Sequence, residues 1–179
     1  MFKNQKTIKF LLFSFSFSIF LSIAQTNEDV PLNNIAINEI PKPISSVIFE
    51  DFSGNEINTK NYLGKLVIIN FWATWCTPCK KEMPSLDNLY QDSRFKNLEI
   101  FAVNMEQPNI YKTKNFFTSL NIKKLGIFFD PNLNFVKKFK LRGVPTTVLL
   151  NKKGEEFARI IGEVDFEDEK FTKWLLKYD

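Results

Sequence analysis

The chain has 179 residues, 44% of them apolar and 25% charged, enough for one domain with a buried core and no covalent staples. Its formal charge is +4, but residues 1–24 hold Lys3, Lys6 and Lys9 and no acid; the remaining 21 basic groups (24 less 3) face 20 acidic ones, which gives no ground for nucleic-acid binding. There is no histidine, and the only two cysteines are three positions apart, so Ser-His-Asp and Cys-His nucleophiles, most catalytic zinc sites and a structural disulfide are excluded.

Met1 to Ala24 reads as a secretory signal. Three lysines precede Phe10 to Ile23, a run of Phe, Leu, Ile and Ser only, and Ser22 and Ala24 supply small residues before a cleavage point after Ala24. The run is about 14 residues against the ~20 that span a bilayer; an uncleaved membrane anchor is the competing reading. Export would place a dithiol where disulfides persist. Residues 25–43, polar and carrying Pro31, Pro41 and Pro43, read as a linker with a little order near Ile35 to Ile40. The folded domain is expected over 44–179.

Val47-Ile48-Phe49 and Glu56-Ile57-Asn58 flank Ser53-Gly54-Asn55, a hairpin signal, and Thr59 is expected to cap a short turn to Tyr62. Leu66 to Trp72 is a β-branched apolar run that suits a strand buried on both faces. It leads into Trp75-Cys76-Thr77-Pro78-Cys79, after which Leu86, Leu89 and Tyr90 mark a helical stripe. The first cysteine therefore falls at a helix N-terminus, where unpaired N–H groups and the helix dipole favour a thiolate. A thiol of pKa ~8.5 is a few per cent ionised at neutral pH, whereas C-x-x-C motifs lower it to ~7 and below. One helical turn brings the second sulfur to the first, so a mixed disulfide on Cys76 can be resolved by Cys79. Pro78 fits the first turn, where its missing N–H has no helical partner. A zinc knuckle is disfavoured because a second ligand pair is absent.

Downstream, Leu98 to Val103 reads as a second buried strand and Asn109 to Leu120 as a helix with Ile110, Phe117 and Leu120 on one face. Gly126 to Asp130 and Asn132 to Phe139 add a strand and a helix. Gly143-Val144-Pro145-Thr146-Thr147 leads into Val148-Leu149-Leu150, paired through a Lys153-Gly154 turn with Phe157 to Ile161. Asp165 is expected to cap a last helix over Phe166 to Tyr178, with Phe171, Trp174, Leu175 and Tyr178 as its buried stripe. The alternation is that of an α/β domain, and its many phenylalanines read as packing.

The lead-in Phe71-Trp72-Ala73-Thr74-Trp75-Cys76 and the exit Cys79-Lys80-Lys81-Glu82-Met83-Pro84 resemble the thioredoxin superfamily, and within it the TlpA-like branch of ResA- and CcmG-type envelope thiol-disulfide oxidoreductases. An isolated peroxidatic cysteine, as in peroxiredoxins, is unlike this tryptophan-flanked pair. The resemblance runs more loosely from about Ser46 to the end. It implies a central mixed sheet flanked by helices, with an N-terminal β-hairpin extension and a central β-α insertion.

Cys76 is read as the attacking thiol and Cys79 as the resolving one. The resemblance implies that Pro145 is cis, faces the dithiol, and leaves backbone at Val144 free to pair with an extended substrate; a cis bond before proline costs only ~0.5–1 kcal/mol. An ordinary trans turn proline is the competing reading. Thioredoxins proper carry a buried Asp where this chain has Asn70, which cannot titrate. Glu82 then becomes the candidate general acid/base for Cys79, against the alternative of a solvated first-turn carboxylate. Trp75 is read as a shield and substrate surface, Trp72 as core, and Lys80 and Lys81 as solvent-facing.

The expected function is a secreted or periplasmic reductase of protein disulfides, with no cofactor beyond the Cys76–Cys79 couple and no metal. The resemblance implies apocytochrome c as substrate, a membrane dithiol donor of the DsbD/CcdA type, and a monomer. A disulfide oxidase or isomerase of the same fold, and a non-catalytic redox sensor or adaptor, are the alternatives. Direction depends on reduction potential and partner, which Thr77-Pro78 does not determine.

Overall fold

Strand β4 (Leu66–Trp72) is buried along its whole length, as its composition requires. The computed structural model describes residues 32–44 and 46–179; the segment read as a signal and the first part of the linker lie outside them. β4 runs parallel to β5 (Leu98–Asn104) on one side and antiparallel to β7 (Thr146–Leu150) on the other. Beyond β5 come β6 (Phe128–Phe129), β2 (Ile48–Asp51) and β3 (Glu56–Asn58); beyond β7 come β8 (Glu155–Ile161) and β1 (Ile35–Pro43). The eight-stranded mixed sheet is open, with β1 and β3 at its edges. This is the expected thioredoxin-like architecture, with β2–β3 as the hairpin extension and β6 opening the insertion.

Strand alternation divides the core. Leu66, Ile68 and Trp72 pack with Met83 and Leu86 of α1 (Thr77–Tyr90), Phe116 and Phe117 of α2 (Ile110–Ser119), and Phe171 and Trp174 of α4 (Glu169–Leu175). Val67, Ile69 and Phe71 point the other way, toward Phe49, Phe101, and Phe135 and Phe139 of α3 (Asn134–Phe139). Trp72 is fully buried and stacks on Phe116 with ring centres 4.6 Å apart, which confirms it as core. By the same alternation Asn70 points toward α1, the one polar residue in that row of β4.

Four local expectations change. Residues 35–43 form the edge strand β1, antiparallel to β8, extending the little order expected near Ile35 to Ile40 as far as Pro43, the end of what reads as a linker. Asn58 caps the 3₁₀ turn Thr59–Tyr62 through Lys60 N, while Thr59 Oγ1 accepts from Val47 N. The insertion helix α3 begins at Asn134, two residues late, because the Asp130 carboxylate accepts from Asn134 N and Phe135 N. The last helix begins at Glu169 with Asp168 as its cap. Just before it, Val164 N donates to Glu82 and Phe166 N to Ser85 Oγ, both on α1, and Asp165 accepts from Glu167 N in a turn.

Candidate active site

β4 ends at Trp72, and the chain turns sharply, Cys76 N donating to Ala73 O at 3.1 Å. Cys76 is the N-cap of α1: its backbone is extended, and its Sγ accepts from Cys79 N at 3.2 Å. Cys76 and Cys79 are joined in a disulfide, with Cα atoms 5.3 Å apart. Cys76 is 3% exposed and Cys79 not at all, whereas the neighbouring Trp75 is 70% exposed. Pro78 sits in the first turn of α1, and the helix continues through Pro84.

Beneath this turn lies a buried polar group. Asn70 Nδ2 donates to Glu82 Oε1 at 2.8 Å and to Thr147 Oγ1 at 3.0 Å, and Glu82 Oε2 accepts from Val164 N at 3.1 Å. Glu82 is only 2% exposed. Burial pushes its carboxyl up to about 7, against the opposing effect of the Asn70 and Val164 hydrogen bonds, and the nearby charge of Glu163 adds to the rise. A solvated first-turn carboxylate is therefore not what α1 carries here. One side of Glu82 lines a cavity of ≈520 Å³ bounded by Lys81, Ser85, Glu163 and Asp165. Among the described residues Asn70 Oδ1 and Trp72 Nε1 are buried without a hydrogen-bond partner.

The Val144–Pro145 peptide is cis. Thr146 pairs with Phe71 across β7–β4, so Pro145 lies at the end of the sheet where β4 hands the chain to Cys76. Val144 packs against the core group that contains both cysteines, and Pro145 is buried. Lys80 and Lys81 are exposed, and Lys81 pairs with Glu163 at 3.5 Å.

Reading the motif alone misses Glu106, Thr147 and Val164. Glu106 follows β5, next to the end of β4, and its carboxylate accepts from Thr74 N at 2.6 Å and Thr74 Oγ1 at 3.0 Å while pairing with Lys112. Burial opposes ionisation of Glu106, but these partners hold its pKa below the ordinary value. It thus ties the active-site loop to the β5–α2 connection. Its signal was positional: a carboxylate just past a strand that neighbours β4.

Residues 40–155 match the AhpC/TSA family. The chain belongs to that family. It is 34% identical over 125 residues to the protein named thiol-disulfide oxidoreductase ResA from Bacillus thuringiensis subsp. konkukian, covering 70% of this chain and 71% of that one. StoA from Bacillus subtilis superposes with a TM-score of 0.60 at 28% identity, over 73% of this chain and 97% of its own. A secreted thiol-disulfide isomerase from Corynebacterium glutamicum shares the fold with a TM-score of 0.68 at 18% identity, over 80% and 92% of the two chains. With its bonded Cys76–Cys79 pair, this family member is a thiol-disulfide oxidoreductase of the ResA type.

Proposed function

We propose that the chain reduces protein disulfides outside the cytoplasm, with Cys76 as nucleophile and Cys79 as resolving thiol. The observation that carries the roles is the cap: Cys76 Sγ already accepts an N–H at the start of α1, a position that favours its thiolate. In the dithiol form the Cys76 thiolate attacks one sulfur of the substrate disulfide and the other leaves as a thiolate that takes up a proton. Cys79, one helical turn on, gives its proton to Glu82 and attacks Cys76 Sγ, which releases the second substrate thiol and leaves the Cys76–Cys79 disulfide. Two electrons pass from the pair to the substrate, and a donor must return them. Glu82 suits its part because it is buried, ionises near neutral pH and borders a cavity through which the proton can leave.

Reduction over oxidation is supported by the resemblance to the TlpA-like branch, and the direction is set by the reduction potential of the pair and its partner. Val144 and Pro145 form the surface against which an extended substrate segment lies, and the exposed Trp75 next to Cys76 is the second substrate contact. The Met1–Ala24 pattern supports export or N-terminal tethering, and the family resemblance supports apocytochrome c as substrate and a DsbD/CcdA-type membrane dithiol as donor. Insulin reduction by the purified protein tests the activity: turnover that vanishes in Cys76→Ser supports it, and turnover no higher than that variant's indicates a non-catalytic adaptor.

A further inference from the structure

A cleft of ≈900 Å³ opens beside the cis-proline loop, between β1 and β8 on one side and the end of α3 on the other. Lys42 comes to it from β1, Lys138 and Lys140 from the end of α3, and Arg142 from the loop before Pro145; all four are exposed. The lining carboxylate, Glu156, is held bidentately by Arg159 at 2.8 and 2.9 Å, and Arg159 also donates to Phe139 O. Glu156 therefore does not neutralise the rim, and among the described residues Lys42, Lys140 and Arg142 form no ion pair. Between the cations the wall is apolar: Leu141 and Val144 are half-buried and Ile161 is 65% exposed.

We propose that this cleft docks an acidic, extended segment of the protein whose disulfide is exchanged at Cys76, an inference that rests on the reductase reading. Three observations select that occupant. The cations come from two separate segments, Lys42 on β1 and residues 138–142, around a cleft much larger than one ion, so the arrangement suits a chain of carboxylates. The apolar residues between them suit a strand that alternates acidic and apolar side chains. Val144 and the cis Pro145 line the cleft at the end of the sheet where β4 hands the chain to Cys76, so a segment seated there runs toward the redox centre. Opposite charge would speed encounter as well as select the partner, and salt would weaken both.

The test uses two fluorescein-labelled octapeptides, one alternating Glu and Leu and the other Lys and Leu, with the oxidised full-length protein and fluorescence anisotropy at low and high salt. The Glu peptide should bind at least tenfold tighter than the Lys peptide and weaken with salt. Lys42→Gln/Lys140→Gln/Arg142→Gln should lose at least tenfold of that affinity. Lys42→Glu/Arg142→Glu should invert the preference, a gain that a misfolded protein cannot give. Equal binding of the two peptides, or unchanged binding by the neutralised variant, overturns the proposal. So does inorganic phosphate or a phosphatidylglycerol vesicle binding at the cleft while the Glu peptide does not. Binding is read without turnover, so a protein that prefers the Glu peptide yet fails to reduce insulin refutes the reductase reading alone, and one that reduces insulin without any preference refutes docking alone.

Discussion

Asn70 Nδ2 lies 2.8 Å from Glu82 Oε1 and gives a buried carboxyl a neutral partner where a titrating one would repel it. A carboxylate so placed keeps its proton to higher pH than one in water. That makes Glu82 both a stability determinant and a group able to exchange a proton near pH 7.

The stability consequence has a definite sign. Between 4.5 and about 7 the folded chain holds a proton on Glu82 that the unfolded chain releases, so stability should fall as pH rises through that window and level off above it. At ~1.4 kcal/mol per pKa unit the loss is roughly 3 kcal/mol. Urea denaturation of the oxidised protein from pH 4 to 8 should show it, and Glu82→Gln should flatten it. An unchanged pH dependence in the variant would remove Glu82 as its source.

Activity should move the other way. In the proposed mechanism ionised Glu82 accepts the Cys79 proton, so the rate of insulin reduction should rise through pH 7 in the unmodified protein. Glu82→Gln should lower the rate at pH 7 by about 10²-fold, within the usual range for a lost acid/base group, and abolish the inflection. Equal rates and equal thiol pKa values in both proteins would reduce Glu82 to a structural residue.

Much of this was legible because the signals were local. The run of β4, the C-x-x-C spacing, Pro78 and the Thr146–Leu150 strand each determine their own geometry, while Asn70 stood out where thioredoxins carry an Asp and Glu82 as the carboxylate near the pair. The rest depended on distant partners. β1 carries two prolines and an exposed Ile40, so it reads as linker until β8 supplies its hydrogen bonds. α4 starts at Glu169 and not at Phe166 because, of two aspartates suited to a cap, Asp168 accepts from Phe171 N while Asp165 accepts from Glu167 N in a turn, a choice the local pattern does not reveal.

Asp87 illustrates the same limit. It sits in α1 at 4% exposure, and its carboxylate accepts from Lys123 N, Lys124 N and Leu125 N, all at 2.8–3.1 Å. Asp87→Ala leaves three backbone donors without that acceptor and should cost about 3 kcal/mol or more of unfolding free energy, measured in urea. A loss below ~1 kcal/mol would mean that the loop finds other acceptors.

Glu106 should affect the loop before Cys76. Glu106→Ala removes the acceptor of Thr74 N and Thr74 Oγ1 and should cost about 1–3 kcal/mol, with a severalfold fall in insulin reduction. Glu106→Gln keeps one carbonyl acceptor and should recover part of both. If the alanine variant matches the unmodified protein in stability and rate, the tie has no role in positioning the loop.

The reduction potential of the Cys76–Cys79 pair, obtained by equilibration against defined dithiol buffers at pH 7, tests the direction of electron flow most directly. The reductase reading calls for a value near ~−270 mV, in the range of reducing pairs. A value near ~−120 mV would contradict reduction and make the protein an oxidant.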